Sequence, residues 1–211
     1  MPLRGPQCTL GYQRVFNLIL SVLDTGMPWT CFPVPTAREG KAEIHDTTVD
    51  NVFAKWADDG SIAHAFVARA GHLSEHNQLG LSILHGDGTN TAAKTGGDGS
   101  GYSGHTHQKG EKIIAIIDHN SYGLAPLPVA PVNEADTVLW PEGLQALKRV
   151  ARLTGLGLTG AYFTLDGGVD SKRHHKAIFN AGLIPTIQEN PRNRKTTKRG
   201  RKRVCNDAMP A

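Results

Sequence analysis

Residues 81–90 read Leu-Ser-Ile-Leu-His-Gly-Asp-Gly-Thr-Asn, a short apolar run that ends in an acid. An apolar run of this length predicts a buried strand, and Asp87-Gly88 predicts the turn that ends it. Residues 112–118 supply a second run, which is rich in isoleucine. Two such runs in succession indicate that this part of the chain folds as a sheet.

The sequence after these two strands alternates between strand and helix patterns. The predicted elements are an edge strand over 124–132, a helix over 141–153, a strand over 162–166, a helix over 171–180 and a strand over 183–187. Three prolines place the first of these at an edge, Pro141 suits the first turn of its helix, and Ser171 suits an N-cap. The order β-β-β-α-β-α-β predicts a mixed α/β fold that begins with an antiparallel meander.

The first 80 residues have helical periodicity instead. Apolar residues recur at three- and four-residue spacings over 12–23 and over 47–56, and a third apolar cluster covers 62–70. Thr25-Gly26 predicts the end of the first helix. We therefore expect a small helical domain over 1–80, which fits either a helix-turn-helix that reads DNA or a plain helical bundle.

Charge is distributed unevenly along the chain. The 211 residues include 23 Lys and Arg against 19 Asp and Glu, a formal charge of +4. Eight of the cations lie within residues 192–203, which contain no acid, so the rest of the chain has 15 basic against 19 acidic residues. The chain is thus a mildly acidic body with a basic tail.

The basic tail is dense enough to favour contact with polyanions. Phosphate contacts of this kind give DNA affinity that is independent of sequence and sensitive to salt. The expected DNA-binding residues are Arg192, Arg194, Lys195, Lys198, Arg199, Arg201, Lys202 and Arg203. The alternative interpretation is a solvated chain end.

The cysteines and the apolar runs exclude other classes of protein. Cys8, Cys31 and Cys205 form no Cys-x-x-Cys pair, so neither a disulfide framework nor a structural zinc site is indicated. No apolar run approaches the roughly 18 residues that a membrane span needs. We expect a cytoplasmic protein without a cleaved signal peptide and without a membrane partner.

Two aspartates follow apolar strands and precede glycine, at Asp87-Gly88 and Asp166-Gly167. If the two strands are neighbours, both carboxylates emerge at one rim of the sheet. Like charges brought close need a compensating cation, and carboxylate oxygens favour Mg²⁺ or Mn²⁺. The alternative is that each aspartate is only a turn residue beside a glycine.

One stretch differs by a single residue from a phosphate-binding loop. Residues 88–95 fit Gly-x-x-x-x-Gly-Lys-Thr except that Ala93 stands where glycine is expected. That loop works by opening into a helix, whereas here the glycine-rich stretch 96–101 follows. We therefore expect no nucleotide cofactor.

Two pairs of histidines raise the question of a metal site. His105 and His107 alternate, and His174 and His175 are adjacent on the polar face of a predicted helix. Histidine pairs without cysteine partners are expected to be solvated. The glycine-rich stretch 96–104 is expected to be a flexible hairpin connection.

The whole layout resembles the DDE transposases of bacterial insertion sequences, families four and five, whose catalytic domain has an RNase H-like fold. Similar sequence motifs occur in the same order over most of residues 15–204. The matching stretches are Val22-Leu-Asp-Thr-Gly-Met-Pro-Trp29, Thr47-Thr-Val-Asp-Asn-Val-Phe-Ala-Lys-Trp56, Gly86-Asp-Gly-Thr89, residues 104–112, Leu165-Asp-Gly-Gly-Val-Asp-Ser171, Ala181-Gly-Leu-Ile-Pro-Thr-Ile187 and Asn190-Pro-Arg-Asn-Arg-Lys195.

The resemblance implies metal-dependent cleavage of DNA strands at transposon ends and their transfer to target DNA. Asp87 and Asp166 would be the first and second catalytic metal ligands, with Mg²⁺ or Mn²⁺ as the cofactor. The partner would be double-stranded DNA in the nucleoid, and a homodimer is left open. The family's third carboxylate, in a Tyr, Arg, Glu, Lys signature, has no counterpart, since Glu189 precedes Asn190-Pro191 in a loop.

These implications define the expected domain organisation. The resemblance implies an RNase H-like domain over 81–191 that lacks its last helix, followed by the basic tail over 192–211. The expected function is that of a truncated transposase with little or no activity. The alternative is a noncatalytic DNA-binding remnant that competes with a full-length transposase.

Overall fold

The computed structural model describes residues 10–34, 36, 40, 42–93 and 99–190. The predicted tail over 192–211, with its eight basic side chains, therefore lies outside the described residues. So does the place at which the resemblance implies a missing last helix.

Three helices come first, α1 (Tyr12–Thr25), α2 (Asp46–Asp58) and α3 (Ser61–Glu75). The sheet region follows in the order β1 (Ile83–Ala92), β2 (Gly101–Ser103), β3 (Gln108–Asp118), β4 (Val129–Pro131), α4 (Asp136–Thr154), β5 (Tyr162–Leu165), α5 (Lys172–Asn180) and β6 (Ile184–Ile187). Among the described residues, no helix is both long and apolar enough to cross a membrane.

The chain divides into two compact units, residues 1–68 and 69–211. The division lies inside α3, upstream of the boundary expected at residue 80. The first unit is helical, and its core is formed by Val15, Leu18, Ile19, Ile44 and Val49. The predicted end of α1 is confirmed, because Gly26 caps it in the left-handed conformation and donates to the Val22 carbonyl.

The six strands found among the described residues of the second unit form one mixed sheet. β1 pairs antiparallel with β3 and parallel with β5, β5 pairs parallel with β6, and β4 pairs antiparallel with β3. The predicted mixed α/β architecture is confirmed, with an antiparallel meander followed by parallel strands. Apart from the additional short strand β2, the order of elements is the predicted β-β-β-α-β-α-β.

The prediction that the first strand ends at Asp87 was wrong. β1 continues to Ala92, and its ladder with β3 runs from the pair Leu84–Asp118 to the pair Ala92–Gly110. Thr89 and Thr91 are β-branched and fit an extended strand. The strand continues because β3 offers hydrogen-bonding partners along its whole length, so Asp87 lies within a strand, opposite Ala115.

The glycine-rich stretch is only partly the expected hairpin connection. Residues 101–103 form β2, which pairs with residues 108–110 on the edge of β3 opposite β1. Residues 94–98 lie outside the described part of the chain. Three strands meet at Gly110, where an added Cβ would clash with the Thr91 carbonyl oxygen.

The predicted strand over 124–132 is much shorter than expected. Only residues 129–131 pair as a strand, although Leu124 still donates its N–H to the Ile116 carbonyl at 2.9 Å. Pro126 and Pro128 have no N–H to donate, so the segment follows β3 without forming a continuous ladder.

The helix α4 covers one face of the sheet. It begins at Asp136, so Pro141 lies inside the helix. The prediction that Pro141 lies in the first turn was wrong. Trp140 is 1% exposed, and its ring centroid lies 4.9 Å from that of Phe163 on β5. The cap predicted for α5 is confirmed, because Ser171 Oγ accepts the N–H of His174.

We expect Gly110→Ala to lower the free energy of unfolding by about 1–3 kcal/mol or more, because the clash is with backbone that cannot rotate away. The matched control is Gly104→Ala, which adds the same methyl group where no atom lies within 4 Å. Chemical denaturation of both variants tests this. Equal losses of stability would contradict the crowding at Gly110.

Candidate functional site

β1 and β5 bring the two predicted aspartates to the same level of the sheet. The last parallel pair of these strands is His85 with Thr164. Asp87 and Asp166 each lie two residues further along. The strands that carry the two acids are therefore neighbours, as the hypothesis of paired carboxylates requires.

The two carboxylates also belong to the same face of the sheet. Side chains alternate along a strand, so Asp87 shares a face with His85 and Asp166 with Thr164. His85 Nδ1 lies 2.7 Å from Thr164 Oγ1, so side chains on this face touch across the two strands. Asp166 has extended backbone, with φ −63° and ψ 151°, which continues the alternation past the end of β5.

Both aspartates are exposed to solvent. Asp87 Oδ1 accepts the N–H of Gly88 at 2.8 Å, whereas the Asp166 side chain has no hydrogen-bond donor among the described residues. Most of their oxygen acceptor capacity is therefore open to a cation. Because Mg²⁺ keeps several waters when it binds proteins, an exposed carboxylate pair suits it.

A small cavity of about 90 Å³ lies at this end of the two strands. It is lined by Gly86, Asp87, Gly88, Ile114, Asp136, Trp140, Leu165, Asp166 and Val169. Gly86 is required by the packing, because a Cβ there would lie 2.6 Å from Leu165 Cδ2 and 2.9 Å from Phe163 Cζ. Both predicted acids therefore line the same cavity.

A third acid, Asp136, also lines the cavity. It is the first residue of α4, a position that favours a negative side chain, and its buried Oδ1 lies 2.9 Å from Lys112 Nζ. Asp136 was not among the predicted site residues, because the helical pattern predicted a start at Pro141. An acidic residue is typical of the first turn of a helix, so Asp136 itself could have indicated where α4 begins.

The donor set fits a hard divalent cation, since carboxylate oxygens are the ligands that Mg²⁺ and Mn²⁺ prefer. The three aspartates do not bring three ligand atoms within 4.8 Å of one another; in the described chain the group that does so is His72, Glu75 and His76. Asp136 is already paired with Lys112. The residues present therefore suit a cation held by Asp87 and Asp166 and otherwise by water.

The other predicted candidates lie elsewhere. Glu189 follows β6, is exposed, and is not among the residues that line the cavity. His105 and His107 are exposed, as expected. Residues 88–92, the start of the stretch that resembles a phosphate-binding loop, are part of β1.

The prediction that His174 and His175 are solvated was wrong for His174, whereas His175 is half-buried. His174 is 5% exposed, and its Nδ1 lies 2.7 Å from the Val169 carbonyl oxygen. His175 Nε2 lies 3.0 Å from Asp170 Oδ1. His174 is buried because it lies one helical turn from the fully buried Ile178.

A further acid, Asp118, has a structural position. It is fully buried, its Oδ2 accepts the N–H of Gly80 at 2.6 Å, and its Oδ1 accepts the N–H of Tyr122 at 2.7 Å. Hydrogen bonds to an ionised carboxylate are strong. Asp118 therefore anchors the turn after β3 to the segment before β1.

No protein-family model matches the sequence, and no curated protein is significantly similar to it. Two solved structures show a partial likeness. A piggyBac transposase synaptic complex with hairpin DNA aligns with a TM-score of 0.40 and 16% identity, over 58% of this chain and 27% of that chain. A Mos1 transposase paired-end complex with the left transposon end aligns with a TM-score of 0.36 and 10% identity, over 88% of this chain and 60% of that chain. The chain thus spans less than two thirds of either protein.

We expect Asp118→Asn to lower the free energy of unfolding by about 2–3 kcal/mol, because it weakens the bonds that a buried carboxylate accepts from the N–H groups of Gly80 and Tyr122. Asp87→Asn and Asp166→Asn should change it by less than about 0.5 kcal/mol, because both side chains are exposed. Thermal and chemical unfolding of the three variants test this contrast. Equal losses in all three would show that the acids of the cavity are also structural.

Proposed function

We propose that the chain is a transposase-type protein that binds double-stranded DNA in the nucleoid. In this proposal Asp87 and Asp166 bind Mg²⁺ or Mn²⁺ for the cleavage and transfer of DNA strands. The observation that carries it is the matched position of these aspartates on neighbouring parallel strands, two residues beyond the pair His85–Thr164. The resemblance of the sequence motifs to insertion-sequence transposases supports the same assignment.

The residues of the cavity have distinct tasks in this proposal. Asp87 and Asp166 hold the cation, and when bound it would activate the oxygen that attacks a phosphodiester. Gly86 lets Leu165 and Phe163 pack directly against the backbone of β1, and Gly88 leaves room for Asp136. Trp140 and Val169 form an apolar wall on α4 and after β5.

The contact with DNA is assigned to the basic tail. Residues 192–203 hold eight Lys and Arg and no acid, and they follow β6 in the sequence. Positive side chains along the phosphate backbone give affinity without base recognition. We infer that the tail holds DNA while the acidic body supplies the metal site.

A second candidate function is a DNA-binding remnant without catalysis, which competes with a full-length transposase. It is favoured by the ion pair between Lys112 and Asp136, which occupies the third acid of the cavity. Two carboxylates hold a cation less firmly than three, and catalysis of strand cleavage depends on the position of the ion.

We expect Mn²⁺ to bind the purified chain and to bind at least about tenfold more weakly to Asp87→Asn and Asp166→Asn, because each loses a charged ligand. Calorimetric titration with Mn²⁺ measures this. Glu142→Gln, on the exposed part of α4, is the matched control and should bind like the unaltered chain. Unchanged binding in both aspartate variants would overturn the metal site.

The two functions differ in a cleavage assay with duplex DNA that carries the ends of the encoding element. Mn²⁺-dependent nicking that is lost in Asp87→Asn and kept in Glu142→Gln supports the transposase and excludes the remnant. Binding of the same duplex without nicking supports the remnant. Nicking that persists in Asp87→Asn and Asp166→Asn would overturn both assignments for these acids.

We expect DNA affinity to fall by about 10³-fold or more between 50 and 200 mM salt if most of the eight cations contact phosphates. Fluorescence anisotropy with a labelled duplex of arbitrary sequence measures this. Removal of residues 192–211 should abolish the salt-sensitive binding. The control is Lys148→Gln with Arg149→Gln, which removes two exposed cations from α4 and should leave affinity within about twofold. Salt-independent affinity would contradict the tail's role.

A further inference from the structure

The C-terminal end of α3 and the residue that follows it carry three side chains that can bind a metal ion. His72, Glu75 and His76 lie at positions i, i+3 and i+4, which project from one side of a helix. One ligand atom from each lies within 4.8 Å of those of the other two. All three residues are exposed, so an ion reaches them directly from solvent.

The backbone orients one of the two imidazoles. His76 Nδ1 lies 2.8 Å from the carbonyl oxygen of His72. A carbonyl only accepts, so Nδ1 carries the proton and Nε2 presents its lone pair to solvent. Metal-binding histidines share this arrangement, in which the second ring nitrogen donates to a backbone carbonyl.

The imidazole rings of His72 and His76 lie close together. The ring centroids of His72 and His76 are 4.1 Å apart, with an angle of 42° between the planes. One carboxylate oxygen of Glu75 lies within 4.8 Å of a nitrogen on each of these rings. The helix thus presents two nitrogens and one oxygen without any change of backbone.

We propose that His72, Glu75 and His76 form a binding site for Zn²⁺ or a chemically similar divalent transition-metal ion. Imidazole nitrogens with one carboxylate oxygen are a zinc ligand set, whereas Mg²⁺ and Mn²⁺ prefer oxygen ligands alone. Water completes the coordination because three protein ligands leave a position open. The site differs in place and in ligand chemistry from Asp87 and Asp166.

An ion here stabilises the end of α3 where the chain leaves the helix. Beyond His76 the chain turns through Asn77, with φ 53°, and Gln78 donates its N–H to the Leu73 carbonyl. Asn120 then donates to the Gln78 carbonyl at 2.9 Å. A metal that joins the last turn of α3 to the residue after it prevents fraying just before this connection to the sheet.

The test is a calorimetric titration of the full chain with ZnCl₂ after removal of metals by a chelator. We expect one site whose affinity falls at least about tenfold in His72→Asn and in His76→Asn, with a smaller loss in Glu75→Gln. Zn²⁺ should raise the Tm of the unaltered chain by linkage and not that of the histidine variants. MgCl₂ at the same concentration should not produce the shift.

The matched control is His64→Asn, an exposed histidine on the same helix that lies outside the cluster. It should keep both the affinity and the rise in Tm. Circular dichroism without metal shows whether each variant retains its helices. Binding that is unchanged in both His72→Asn and His76→Asn, or that is lost equally in His64→Asn, would overturn the proposal. Co²⁺ can replace Zn²⁺ as a coloured probe of the same site. An absorption spectrum of bound Co²⁺ that is the same in His72→Asn and His76→Asn as in the unaltered chain would also overturn the proposal.

Discussion

The parallel pairing of β1 with β5 is the constraint on which the second unit depends. Only three pairs join these strands, from Ile83–Tyr162 to His85–Thr164. They nevertheless set the register of β5, and of β6 beside it, relative to β1. Leu84 and Phe163 form the middle pair and are both fully buried, so a slip of one residue would turn them to the opposite face. The apolar core thus fixes the alignment that brings Asp87 level with Asp166.

The alternation of side chains along β1 also places its core residues and its exposed polar residues on opposite faces of the sheet. On the face that packs against α4, β1 presents Leu84 and then Gly86. Phe163 and Leu165 pack so closely on Gly86 that no Cβ fits there. On the opposite face β1 presents His85 and then Asp87, both exposed. A strand buried on one side only can therefore hold charged groups in a fixed position without paying for their desolvation.

The sequence predicts those features that depend on local chemistry. The isoleucine-rich strand β3, the cap of α1 at Gly26 and the cap of α5 at Ser171 follow from neighbouring residues alone. Features set by distant residues escaped prediction: β1 extends past Asp87 because β3 is there to pair with it. Asp136 was not predicted as a site residue because α4 begins earlier than its sequence pattern indicates. The spacing of His72, Glu75 and His76 was not recognised because α3 extends beyond Ala70.

The unequal lengths of β1 and β5 have a further consequence. β1 pairs with β3 as far as Ala92, while its pairing with β5 stops at His85. Within the described residues, the β5 side of the longer strand therefore has amide and carbonyl groups without a ladder partner. An open edge of this kind is a template for an added strand from another chain, and Thr89, Asn90 and Thr91 give it neither charge nor proline to prevent self-association.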